Sequence, residues 1–146
     1  MSWMTQSAAP SPQLVTRPAR ILVADDQAMI REGVRTLFES QTKFRICGEA
    51  VNGQEAIDKT QELLPDLIIL GITMPVLNGF DAARMIRKLC PNVPILILST
   101  HNSKQLVEEA RKIGARGYVA KMEMDEHLID AVHAVLKNST FFPLES

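Results

Sequence analysis

Short, wholly apolar runs alternate along this chain with longer stretches in which apolar residues recur every three or four positions. Ile21, Leu22, Val23 and Ala24 form the first run, which ends in Asp25 and Asp26. Residues 27–39 follow, where Ile30, Val34, Leu37 and Phe38 fall at helical spacing. Residues 44–50 predict a second strand. Residues 53–64 predict a helix with Ala56, Ile57, Thr60, Leu63 and Leu64 on one face, ended by Pro65. Leu67, Ile68, Ile69 and Leu70 leave no polar face, the pattern of a central parallel strand covered by helices on both sides. A loop with Met74-Pro75 and Asn78-Gly79 leads to a helix bearing Phe80, Ala83, Ile86 and Leu89. Pro94 opens a fourth strand over 95–98. Ser103 is the expected N-cap of a helix carrying Leu106, Val107, Ala110 and Ile113, with Gly114 at its left-handed end. Residues 117–120 read as a fifth strand, and Asp125 as the cap of a last helix with Leu128, Ile129, Val132, Val135 and Leu136 inward.

Five strands alternating with five helices predict an α/β domain with a parallel sheet and right-handed crossovers. The functional crevice of such a sheet lies beyond the carboxyl ends of its strands. The residues at those ends are Asp25 and Asp26, then Gly71, then Ser99 and Thr100, then Lys121. Adjacent carboxylates leaving a strand suit a hard cation such as Mg2+. A hydroxyl and an ammonium beside it suit a tetrahedral anion, because both donate to its oxygens. Taken singly, Asp26 also reads as a helix cap, Lys121 as a solvated charge and Ser99 as a turn former. Their convergence on one sheet edge favours the site.

Composition narrows the class. With 146 residues there is room for one domain, and 46% hydrophobic against 23% charged residues is the balance of a globular chain. A net charge of -1 offers no basic surface for nucleic acid or an anionic membrane. No apolar run approaches the roughly 20 residues of a membrane span, and no secretory signal is evident, so a cytoplasmic location is expected. Residues 1–19, with Trp3, read as a disordered tail. Residues 139–146 carry Phe141, Phe142 and Pro143 and either pack back or begin a linker. Cys47 and Cys90 lack CxxC spacing and read as reduced thiols.

The acidic pair in ILVADD, the strand PDLIIL, the loop MPVLNG, the strand ILILST and the segment GYVAK occur in this order. The chain thereby resembles the receiver domains of two-component response regulators, from about Arg20 to Lys137. The stretch GEAVNGQEAI and the absence of proline after Lys121 make it similar to the subfamily joined to helix-turn-helix domains. The resemblance implies a flavodoxin-like three-layer (βα)5 domain of sheet order 2-1-3-4-5 over 20–138. It also implies Mg2+ held by Asp25, Asp26 and the carbonyl of Thr73, phosphoryl sensing by Ser99, charge pairing by Lys121, and Tyr118 as the aromatic switch. Expected partners are a sensor histidine kinase and a second copy meeting through the last two helices and fifth strand. Arg111, Lys112, Arg116 and Glu123 are candidate charges of that surface; neither DNA nor membrane is an expected partner.

The family's phosphate-accepting aspartate falls where this chain has Gly71. Phosphoryl transfer needs an oxygen nucleophile, and glycine has none. With two clustered carboxylates instead of three, Mg2+ affinity is expected to fall. A bulge or close backbone approach is the structural alternative for Gly71. Two origins fit it, a native pseudo-receiver or a replacement in an ordinary receiver. An enzyme on the same scaffold is disfavoured: no Gly-rich loop follows the first strand, and His101, His127 and His133 show no metal-like grouping. A further reading is the regulatory half of a DNA-binding regulator.

Overall fold

A computed structural model describes residues 17–143; Trp3 and the tail around it lie outside them. Five strands, β1 (Ala19–Ala24), β2 (Phe44–Ala50), β3 (Leu67–Gly71), β4 (Ile95–Ser99) and β5 (Gly117–Ala120), alternate with five helices. The helices are α1 (Ala28–Glu39), α2 (Gly53–Leu63), α3 (Gly79–Leu89), α4 (Lys104–Ile113) and α5 (Met124–Leu136). All strand pairs are parallel, in the order β2-β1-β3-β4-β5. This is the expected doubly wound, flavodoxin-like α/β fold.

Side chains alternate across the strands and divide the core in two. Leu22, Ala24, Ile68, Leu70, Ile95, Ile97 and Tyr118 pack with Ala56, Ile57, Ala83, Ile86, Val107 and Ala110 from α2, α3 and α4. Ile21, Val23, Leu67, Ile69, Leu96, Leu98 and Val119 pack with Val34 and Phe38 of α1 and Leu128, Val132 and Val135 of α5. Every residue of β3 and β4 is buried, which is why neither strand carries a polar face.

Caps settle several helix ends. Ser103 accepts from Leu106 N–H at 3.1 Å, and Gly114 takes φ +102°. Asn52 and Asn78 cap α2 and α3 through their side chains. Three expectations need correction. Asp125 is not the cap of α5: a 3-10 turn over Lys121–Glu123 feeds the helix directly, Glu123 holds the cap position without a side-chain bond, and Asp125 lies inside the first turn. Leu64 is not inward; it ends α2 at φ +46° and is 63% exposed. Leu89 is likewise exposed, at the end of α3. At the margins, β1 begins at Ala19, one residue before the expected domain start, with Ala19 N–H donating to the Lys43 carbonyl at 2.8 Å. Phe141 and Phe142 pack back on the domain.

Cys47 is half-buried and Cys90 buried, both as free thiols. Burial pushes the Cys47 thiol up, against the nearby Arg20 charge.

Candidate functional site

Each strand except β2 delivers a candidate side chain or its replacement to one rim. Asp25 and Asp26 step off β1 into the turn before α1. Asp25 is 1% exposed, whereas Asp26 faces solvent. One Asp25 oxygen, Oδ1, accepts from the Gln27 N–H at 2.9 Å. The other, Oδ2, lies 2.8 Å from Lys121 Nζ. That distance is an ion pair, but Oδ2 takes part in no aligned hydrogen bond; the Lys121 ammonium directs one at Gln27 Oε1 instead, at 2.8 Å. The backbone carbonyl of Asp25 accepts from Arg31 Nη1 at 2.8 Å, so α1 is tied to the same turn.

Gly71 is the buried last residue of β3. Its pairing with Leu98 continues the regular β3–β4 register, so no bulge sits there. A Cβ built on Gly71 would meet Asp25 Oδ2 at 2.6 Å, with the nearest backbone atom, the Ala24 carbonyl oxygen, at 3.5 Å. The Asp25 carboxylate therefore leans into the space a side chain at 71 would occupy. Backbone packing does require glycine at position 79, where a Cβ would fall 1.9 Å from the Gly71 carbonyl oxygen. Between them the loop carries Thr73, exposed, and Val76, a β-branched residue at φ +69° and 79% exposed. Such a backbone is strained for valine.

Ser99 ends β4, buried, and its Oγ accepts from the His101 N–H at 3.1 Å. Tyr118 on β5 is 1% exposed, and its hydroxyl donates to the His101 carbonyl at 2.5 Å. Burial pushes the Tyr118 phenol above its ordinary value, against a smaller lowering effect of the Ser99 side chain. A cleft of about 230 Å3 opens between Asp26, Gln27, Thr73, Ser99, Thr100, His101 and Lys121. The expected strand-end residues thus meet around one space, Asp25 and Gly71 lying beneath it. Gln27 and His101 join them, and the sequence marked neither. Their only signal was position: Gln27 follows the acidic pair, and His101 stands two residues after Ser99. His127 and His133 lie elsewhere, His133 with its ring 4.7 Å from that of Phe44.

Among the described residues no group of three or more His, Cys, Asp or Glu is placed to hold a metal ion. Asp26 and Thr73 line the cleft, while Asp25 is already neutralised by Lys121. This donor set fits a weakly held, mostly hydrated Mg2+, since that ion keeps several waters and needs few protein oxygens.

A five-stranded parallel sheet in this order, with acids, a hydroxyl and an ammonium at its carboxyl rim and no glycine-rich phosphate loop, defines a doubly wound α/β domain with a charged strand-end cleft. Residues 21–133 match the model of the response regulator receiver domain, and the chain belongs to that family. It is 36% identical over 118 residues to the chemotaxis protein CheY of Thermotoga maritima, covering 81% of this chain and 98% of that one. To the nitrate/nitrite response regulator protein NarL of Escherichia coli K12 it is 37% identical over 116 residues, covering 80% of this chain and 54% of NarL. A solved LuxR-family two-component response regulator from Aurantimonas superposes with a TM-score of 0.81 at 32% identity, covering 85% of this chain and 89% of that one. The chain spans little more than half the length of several curated relatives that it matches, 56% and 57% in two from Bacillus subtilis.

Proposed function

We propose that this receiver domain signals through protein contacts and accepts no phosphoryl group at position 71. The observation that carries the reading is the Asp25 carboxylate beside Gly71, paired with Lys121. In a covalent switch, the group at the end of β3 supplies the nucleophilic oxygen and presents the charge that the ammonium neutralises. Gly71 supplies neither, and Lys121 already has partners in Asp25 and Gln27. Positioning and electrostatics stabilise transferring phosphate but do not replace a missing nucleophile. Asp26 and Thr73 would hold Mg2+ weakly, with Asp25 contributing only after giving up Lys121. When bound, the ion would neutralise charge at the rim.

The domain is then a cytoplasmic binding module rather than an enzyme. Its partners are a sensor histidine kinase, engaged without transfer to residue 71, and a second copy meeting it through α4, β5 and α5. Arg111, Lys112, Arg116 and Glu123 supply that face's charges. Among the described residues no helix is long and apolar enough to cross a membrane.

Incubation with acetyl phosphate and Mg2+, followed by mass spectrometry, tests the reading. The chain is expected to take no label, whereas Gly71→Asp gains one phosphoryl group on residue 71. The new side chain requires the Asp25 carboxylate to shift, since its Oδ2 lies 2.6 Å from a Cβ at position 71, whereas the nearest backbone atom is 3.5 Å away. Phosphate recovered from the unaltered chain on Asp26 or Thr73 would falsify the account.

A second reading is favoured by relatives named as transcriptional regulators, of which the match covers only 57% and 56%: the chain is the regulatory part of a DNA-binding protein. The reading frame beyond codon 146 decides it, with a helix-turn-helix domain expected and an immediate stop codon overturning it.

A further inference from the structure

β5 is an edge strand, paired with β4 on one side. Such an edge presents free N–H and C=O groups and requires covering. Here the covering is the chain that follows α5. Asn138, at φ +65°, turns the backbone, and Arg116 Nη2 donates to its carbonyl at 2.9 Å. The Phe141 N–H then donates to the Arg116 carbonyl at 3.0 Å, and the Tyr118 N–H to the Phe141 carbonyl at 2.8 Å. These two bonds make a parallel bridge between Gly117 and Phe141.

The side chains alternate as on a true strand. Phe141 packs into the cluster shared by α1 and α5, its ring centroid 6.0 Å from that of His127. Phe142 packs into the opposite cluster beneath the Arg111 guanidinium, 4.0 Å above its ring. A Cβ on Gly117 would stand 2.5 Å from Leu96 Cδ1 and 3.2 Å from the Phe141 carbonyl oxygen, so glycine suits both the core packing and the close approach of this segment. Pairing stops at Pro143, where the next ladder bond needs an N–H that proline lacks. A groove of about 460 Å3 lies between Phe141, Phe142 and Pro143 on one side and Tyr118, Glu123 and His127 on the other.

We propose that residues 139–143 form a detachable strap, a sixth strand docked on β5 that holds Tyr118 buried and keeps the β5 edge from pairing with that of a second copy. Three backbone bonds, counting that from the Ser139 N–H to the Ala134 carbonyl at 2.9 Å, and two half-buried aromatics hold it. So few contacts barely offset the entropy of ordering the segment, and such elements open locally. Tyr118 is gripped from two sides, its N–H by Phe141 and its hydroxyl by His101 on the cleft rim. Strap and cleft therefore share one residue. With the strap off, the edge meets an identical edge across a twofold axis, where two strands run antiparallel and exchange the same bonds.

The inference rests on the proposed use of the β5 face for self-association and is independent of the chemistry at position 71, which the acetyl phosphate assay reads separately. Its test uses the full chain in two variants, Phe141→Ser with Phe142→Ser, and Phe142→Ala alone. The single change removes only a half-buried ring of the strap and leaves the charges of the α4–β5–α5 face in place, so it decides the matter should the double variant fail to fold. Tyr118 is the only tyrosine, so its phenol titration is a clean signal. In both variants the Tyr118 amide is expected to exchange at least tenfold faster while the β3 amides keep their rates. The phenol is expected to titrate closer to its ordinary value, and sedimentation to show concentration-dependent dimers. Unchanged Tyr118 exchange in a folded variant overturns the strap. So does a chain with fast Tyr118 exchange that remains monomeric at every concentration.

Discussion

Asp25 is a carboxylate almost removed from water, and its two oxygens are treated differently. Oδ1 has the Gln27 amide, while Oδ2 has only the Lys121 ammonium. A buried charge that loses its partner costs far more than the pair itself contributes. Lys121→Met is therefore expected to destabilise the domain by about 3–5 kcal/mol, read from denaturant unfolding. Adding Asp25→Asn should recover much of that loss, because no buried charge is then unpaired. Losses that simply add would show that the two residues do not interact. The residue types at the strand ends were legible in the sequence. The direction in which Lys121 turns was not, because it depends on the space left above Gly71 by a strand distant in sequence.

At the scale of elements, α1 is fastened to β2 by Glu49, which accepts from Arg31 at 2.9 Å and also from Arg35. Burial pushes the Glu49 carboxyl up, but the hydrogen bonds and charges of Arg35 and Arg31 outweigh it and leave it below its ordinary value. A folded-state value below the unfolded one means stability that is present above the unfolded value, near pH 4.3, and lost as pH falls through the folded one. Glu49→Gln should cost about 1 kcal/mol or less at neutral pH, as half-exposed pairs do. The gap between the two proteins should close below about pH 4. A gap that does not change with pH would remove the ion pair as its cause. Arg31 also holds the Asp25 carbonyl, so this clasp positions the acidic turn as well. Helix existence, and caps such as Ser103 and Gly114, could be read from local chemistry. Asp125 misled because a 3-10 turn from Lys121 carries the chain straight into α5, leaving no separate cap for a side chain to fill.

Across the whole molecule, β3 and β4 separate two apolar layers, each a cluster of buried side chains. Ile69→Ala, on the layer shared with α1 and α5, is expected to cost about 2–5 kcal/mol. The denaturation midpoint should fall while the slope stays constant. A change in slope would mean that the layers unfold separately. The sequence by itself determined the five-fold strand and helix alternation, the two-sided burial of β3 and β4, and the rim on which Asp25, Asp26, Ser99 and Lys121 meet. These follow from periodicity and from the handedness of parallel crossovers, which act locally or universally. Only the tertiary structure decided that the Asp25 carboxylate fills the space over Gly71, that Gln27 and His101 join the cleft, and that Phe141 and Phe142 straddle the β5 edge. Each of these is a contact between segments far apart in the chain. Such a contact is selected by the volume and hydrogen-bonding groups that packing leaves free, and these do not exist until the sheet has formed.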